Sequence, residues 1–292
     1  MKQFIFIGTF LLATFSHAMP EDIGPVSPPR EGNFAHDQLP FTTFSFGQNI
    51  FDKNTFLIYP FFSQCVGKNF SEVELLPAFL YAFTDSFSLY VELPLILKDK
   101  SDGVTRRGIG NLFAQCEYAL IEHSSLEAES LVTVVGGIEF PTTHLSVAHD
   151  CIQTDTNYTA TGFFLGTTVS RLSEKLYVYA STGATFYMEK HGVRSGTSIA
   201  YEWGIGSNLG VTKFFTFTGI LEFSGIYTLK DSVNHCKDCD TGGNILFVGP
   251  SLSITGDWLV LTGGIQWPLI QSLNGEQDKT KYKSAFQLAI SF

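Results

Sequence analysis

From about residue 55 to the C-terminus the chain repeats one theme. Stretches of nine or more residues rich in Val, Ile, Phe, Tyr, Thr and Gly are separated by polar breaks. Apolar and polar positions alternate within the stretches, the period-two pattern of a strand with one face apolar. The pattern predicts twelve strands, over 55–63, 72–83, 87–97, 108–121, 128–140, 159–171, 176–188, 196–209, 215–227, 244–254, 258–267 and 281–292. No segment carries a competing amphipathic-helix period. In the ninth stretch one face reads Phe215, Phe217, Gly219, Leu221, Phe223, Gly225, Tyr227, and the other Thr216, Thr218, Ile220, Glu222, Ser224, Ile226. Aromatics at both ends of the first face, with smaller apolar residues between them, suit a lipid face with interfacial girdles.

The breaks are as informative as the strands. Long breaks follow the odd strands, at 64–71, 98–107, 141–158, 189–195, 228–243 and 268–280. Short ones follow the even strands, at 84–86, 122–127, 172–175, 210–214 and 255–257. Loops on one side and tight turns on the other are the arrangement of an outer-membrane barrel, and an even strand number puts both chain ends on the periplasmic side. Strands of about 9–11 residues, tilted by about 45°, cross a bilayer, whereas soluble sheets favour about five or six. A secreted sandwich or lipocalin-like barrel would explain the alternation but not twelve long strands with one-sided loops. Hydrocarbon offers no water to an open sheet edge, so the first and last strands must pair. The expected fold class is all-β: a closed antiparallel transmembrane β-barrel of about 12 strands over 55–292, in contact with membrane lipid.

The first residues change the picture by giving an address. Lys2 precedes an apolar run from Phe4 to Phe15 and then Ser16-His17-Ala18, the order of a secretory signal peptide over 1–18. Pro20, Pro25, Pro28 and Pro29 would stop a first helix from continuing. The Pro-rich segment 19–54, with Phe34, Phe41, Phe44 and Phe46, is long enough to fold inside a barrel as a plug; it could equally lie in the periplasm, which its composition favours. At the other end Tyr282, Phe286, Leu288, Ile290 and Phe292 share one face, and Phe292 is the last residue. That ending resembles the signal read by the bacterial outer-membrane assembly machinery. Together these features place the chain in the outer membrane of a Gram-negative cell.

Charge narrows the functional classes. With 28 acidic against 18 basic side chains and a net charge of −10, the chain would repel phosphate, and a nucleic-acid partner is not expected. Parity places one glutamate inward on many strands: Glu92, Glu117, Glu139, Glu202 and Glu222, with Lys283 the clearest inward base. Two readings stand side by side. A lumen lined with carboxylates favours cations; alternatively the glutamates belong to a polar network that plugs the barrel, satisfied partly by Arg30 or Lys53 from the N-terminal segment.

Four of the five cysteines, Cys65, Cys151, Cys236 and Cys239, fall in expected extracellular loops, an oxidising setting. Four cysteines allow three pairings, of which Cys236–Cys239 with Cys65–Cys151 is preferred. The run His235-Cys236-Lys237-Asp238-Cys239-Asp240 supplies too few well-spaced ligands for a metal site, and neither metal nor cofactor is expected. An enzyme is not expected either. There is no Gly-x-Ser-x-Gly elbow or Walker loop, and His36, His123, His144, His149, His191 and His235 all lie outside the expected strands.

Three stretches, GIGNLFAQCEYAL (Gly108 to Leu120), GGIEFPTTH (Gly136 to His144) and GGIQWPLIQSLNG (Gly263 to Gly275), carry a family likeness. From Gly108 onward the chain resembles the outer-membrane transporter family linked to the meta-pathway of phenol degradation. The resemblance implies a barrel and a transport role without naming a solute. The expected function is passive transport of small solutes across the outer membrane. The alternative is a structural or surface-contact barrel whose disulfide-bearing loops matter more than its bore.

Overall fold

The computed structural model describes residues 42–101, 103–125, 128–142, 144–147, 160–173, 175–190 and 192–292. The expected signal peptide, and the Pro-rich segment up to residue 41 with Arg30 in it, lie outside the described residues.

Twelve strands form one closed antiparallel barrel: β1 (Phe56–Gly67), β2 (Phe70–Thr84), β3 (Phe87–Glu92 and Leu95–Ser101), β4 (Val104–Ile109 and Leu112–Ser124), β5 (Ala128–Phe140, then His144–Val147), β6 (Gly162–Ser173), β7 (Tyr177–Tyr187), β8 (Ser198–Val211), β9 (Thr216–Thr228), β10 (Gly243–Thr255), β11 (Leu259–Leu273) and β12 (Thr280–Ser291). Each pairs with the next, and β12 returns to β1 over Leu57↔Ser291 to Gly67↔Thr280. No edge is left open, as a wall in hydrocarbon requires. The seam is tied at its periplasmic end, where the Phe292 N–H donates to the Phe56 carbonyl at 3.0 Å.

Parity is as the alternation implies. In β9, Thr218, Ile220, Glu222 and Ser224 are buried while Leu221 is exposed. Leu165, Leu209 and Leu269 are each 60% exposed or more, which places them on the lipid face. Trp203 of β8 stacks on Phe223 of β9 at 5.0 Å on the same outer surface. Around the periplasmic rim the Phe56 ring meets Phe79 and Phe292, and the Phe83 ring meets Tyr81 and Phe87.

Two expected loops are not loops. The break placed at 64–71 is a turn at Lys68-Asn69, so Cys65 lies within β1 rather than outside the barrel. The break at 98–107 is mostly strand, with β3 running to Ser101 and β4 starting at Val104. Both stretches are polar because strands that continue above the hydrocarbon no longer need an apolar outer face. His123 lies within β4, near its periplasmic end, and His144 within the last segment of β5; both were expected outside strands.

Three neighbouring strands are interrupted at one level, at Leu93-Pro94, Gly110-Asn111 and Pro141-Thr142. Proline has no N–H to give the ladder, so the sheet repairs itself locally. Gly110 N–H donates to the Pro94 carbonyl at 2.7 Å, and Leu112 N–H to the Thr142 hydroxyl at 2.8 Å. That hydroxyl in turn donates to the Gly110 carbonyl at 3.0 Å. Pro60 and Pro77, register partners, continue the line into β1 and β2.

Candidate functional site: the occupied lumen

Residues 42–54 lie inside the barrel. They leave the periplasmic rim, where Lys53 N–H donates to Asp85 Oδ1 at 2.7 Å, and wind around the inner wall. Phe51 packs with Leu57, Tyr59, Ala78, Leu80, Ala82, Val260 and Ala289, forming the apolar floor of the lumen. Burying a phenyl of this kind stabilises by about 1.5–3 kcal/mol.

Above the floor, the segment is held by glutamates of the wall. Glu117 of β4 accepts from Gln48 N–H at 2.8 Å and Asn49 N–H at 3.0 Å. Glu202 of β8 accepts from Phe46 N–H at 3.0 Å. Glu222 of β9 accepts from Thr43 N–H and Phe44 N–H, each at 3.1 Å. Five main-chain donors thus end on three carboxylates. Glu117 and Glu222 are buried, at 1% and 0% exposure, and both are saturated by further donors. Thr133 donates to Glu117 at 2.6 Å, Tyr179 to Glu222 at 3.0 Å, and Ser251 also donates to Glu222. Buried carboxyl groups of this kind are tolerated because donors take up their lone pairs.

The chain reaches Glu117 through a tight turn. Gly47 and Gln48 both have positive φ, 77° and 62°, which aims two successive N–H groups at one acceptor. A Cβ on Gly47 would collide with the Thr168 methyl group, so this position needs glycine for space as well as for φ. Tyr177 donates to the Gln48 side-chain carbonyl, and Ser45 shares a hydrogen bond with Ser181 at 3.1 Å.

Two phenyl rings fit against wall glycines. A Cβ at Gly166 would lie 2.9 Å from the Phe46 ring, and one at Gly264 the same distance from Phe44. Phe46 also meets Phe164 edge-on at 4.8 Å. Lys283 of β12 faces inward, donates to Ser224 at 2.6 Å, and stands 4.8 Å from the Phe44 ring centre and 4.6 Å from that of Phe247.

The inward glutamates therefore split into two groups. Glu117, Glu202 and Glu222 bind the N-terminal segment. Glu92 accepts from Tyr90 at 2.6 Å, and Glu139 from Asn111 at 2.6 Å and Tyr187 at 3.4 Å, away from that segment. The donors to the plug's three glutamates are main-chain N–H groups and hydroxyls; Lys53, expected as a counter-charge, is exposed at the rim. Two inward acids escaped the parity reading, Glu72 and Glu74 of β2, the latter accepting from Ser63 at 3.3 Å. Their alternation with Val73 and Leu75 was the available signal.

A closed barrel of twelve tilted strands, apolar outside and polar inside, has one known setting. This is the fold of an outer-membrane β-barrel. A solved outer membrane channel from Pseudomonas putida F1 shares it, with a TM-score of 0.66 over 85% of this chain and 99% of that one, at 11% identity. LpxR from Salmonella typhimurium is a more distant barrel, with a TM-score of 0.44, 6% identity, and coverage of 82% and 100%. The translocator domain of the autotransporter NalP from Neisseria meningitidis gives 0.41, 10%, 82% and 88%. No protein-family model and no curated protein matches the chain, so the phenol-pathway link of the sequence resemblance gains no match.

Of the described cysteines, Cys65 stands outside its expected loop. Cys65 faces the lumen from β1, opposite Lys283 in the ladder, and is unbonded. Cys236 and Cys239 are exposed and unbonded in the hairpin that follows β9, and Cys151 lies outside the described residues. Cys116 is exposed on the lipid face. Among the described residues no three His, Cys, Asp or Glu side chains are grouped to hold a metal ion.

Proposed function

We propose that the chain is an outer-membrane channel for small solutes whose bore is closed at rest by residues 42–54. The observation that carries this is the attachment of five main-chain N–H donors of one segment, on Thr43, Phe44, Phe46, Gln48 and Asn49, to Glu117, Glu202 and Glu222. A segment held by hydrogen bonds to its own barrel is removable without unfolding the wall, because the ladder of β1 to β12 closes independently of it. Twelve strands lie between barrels filled by side chains and those with a wide aqueous bore, so one extended segment is enough to stopper the lumen. The fold shared with an outer membrane channel supports the same reading. Once the segment moves, Glu92, Glu139, Glu72 and Glu74 remain to line the upper lumen, which favours cationic or neutral solutes.

The test is solute uptake into liposomes by the mature chain and by a variant lacking residues 19–50, which keeps Phe51 in the apolar floor. Expected is slow uptake by the first and rapid uptake of small sugars and amines by the second. Equal uptake by both, with the variant shown to be folded, would contradict the reading.

A further inference from the structure

Above the apolar band, opposite sides of the barrel differ in charge. Six bases gather where β12, β1, β2, β3 and β4 reach their extracellular ends: Lys68, Lys98, Lys100, Arg107, Lys279 and Lys281. Register sets their direction. Glu72 and Glu74 face inward, so Ser71 and Val73 face outward, and so do their β3 partners Lys100 and Lys98. Arg106 pairs inward with Asp99, at 3.6 Å, which turns the next residue, Arg107, outward. Lys68 sits on the β1–β2 turn, its N–H donating to the Lys279 carbonyl at 3.1 Å. Lys281, exposed, is the residue skipped by the β1–β12 register. Among the described residues, the acids nearby that do not face the lumen are Glu276 and Asp278, the second engaged by the Asn69 amide at 2.8 Å. The loops after β7 and β9 are different: there Lys190, Arg194, Lys230 and Lys237 alternate with Glu189, Asp231, Asp238 and Asp240. Directly below the six bases the outer face turns apolar, with Phe62 and Leu97 exposed.

We propose that this side of the barrel seats a phosphorylated glycolipid of the outer leaflet. Its phosphates lie against the six bases and its acyl chains run down over Phe62 and Leu97. A cluster of Lys and Arg at the head-group level draws anionic lipid, and the attraction is lost with distance and salt. The mixed-charge loops on the far side offer no such gradient, so the lipid binds on one side of the barrel. This inference rests on the outer-membrane setting but not on the plug; its failure would leave the uptake result untouched.

The experiment measures binding of bisphosphorylated and monophosphorylated lipid A to the full mature chain in mild detergent, by native mass spectrometry. One variant carries Lys68→Gln, Lys98→Gln, Lys100→Gln and Arg107→Gln. Its control carries Lys190→Gln, Arg194→Gln, Lys230→Gln and Lys237→Gln, and the heat-sensitive gel mobility of each checks folding. Expected is binding at least about tenfold weaker for the first variant and within about twofold of wild type for the control. The monophosphorylated lipid should bind wild type more weakly than the bisphosphorylated one. Equal loss in both variants, or indifference to phosphate number, would overturn the proposal. Should the fourfold variant not refold, Lys98→Gln with Lys100→Gln is expected to lose binding several-fold, and unchanged binding would overturn it equally.

Discussion

Lys283 and Phe44 meet inside the barrel, the ammonium 4.8 Å from the ring centre and 4.6 Å from that of Phe247. The lysine belongs to the last strand of the wall and the phenylalanine to the N-terminal segment. The contact therefore joins the two parts of the molecule that the proposed opening would separate. A desolvated cation–π contact is worth up to about 2 kcal/mol. Lys283→Met keeps much of the side chain's length and removes the charge. Amide exchange at Thr43 and Phe44 is expected to quicken by up to about thirtyfold, with exchange in β1 to β12 unchanged. Unchanged exchange at both amides would show that the lysine serves only Ser224.

Gly47 tests the turn from the other side. Gly47→Ala meets both a positive φ and the Thr168 methyl group. The left-handed conformation alone costs about 1–2 kcal/mol. Faster exchange at Gln48 and Asn49 is expected, partly reversed by adding Thr168→Ser, which removes the methyl but leaves the φ penalty. Full reversal, or none, would mean that one of the two causes is absent.

What could be read from the alternation differs sharply between wall and plug. In β9 the period of two put Glu222 inside and Phe223 outside without any knowledge of neighbours, because lipid and lumen impose opposite chemistries on consecutive residues. The ends of β3 and β4 were hidden, since Lys98, Lys100, Arg106 and Arg107 are charged where those strands stand above hydrocarbon. The plug was the least legible part. Thr43 to Asn49 bind through main-chain N–H groups, which nearly every residue type possesses, so composition carried no trace of their five acceptor contacts. Glu117, Glu202 and Glu222 were found as inward groups, but their partners could come only from the fold.

The exposed pair Cys236 and Cys239, three residues apart in an extracellular hairpin, remains a candidate disulfide. Peptide mapping of unreduced protein from the cell surface is expected to find the two joined. Two alkylatable thiols there would rule the bond out. Cys65, facing the lumen, is expected to react with small thiol reagents faster when the plug is released.

The C-terminal Phe292 is expected to matter for delivery more than for the finished wall. Its removal costs one hydrogen bond to Phe56 and one ring contact at 6.4 Å, yet also the end of the outward row Tyr282, Phe286, Leu288 and Ile290. The truncated chain should refold in detergent with little change but accumulate poorly in outer membranes. Wild-type levels in membranes would sever that row from assembly.

Single-channel conductance in a planar bilayer, comparing the mature chain with the variant Glu117→Gln, Glu222→Gln, tests the plug most directly. Replacing two carboxyl groups that hold four main-chain N–H groups weakens hydrogen bonds worth about 0.5–3 kcal/mol each. Expected is a nearly silent wild type and frequent, larger openings from the variant. A variant as silent as wild type, though amide exchange shows residues 43–49 released, would mean that something other than this segment closes the bore.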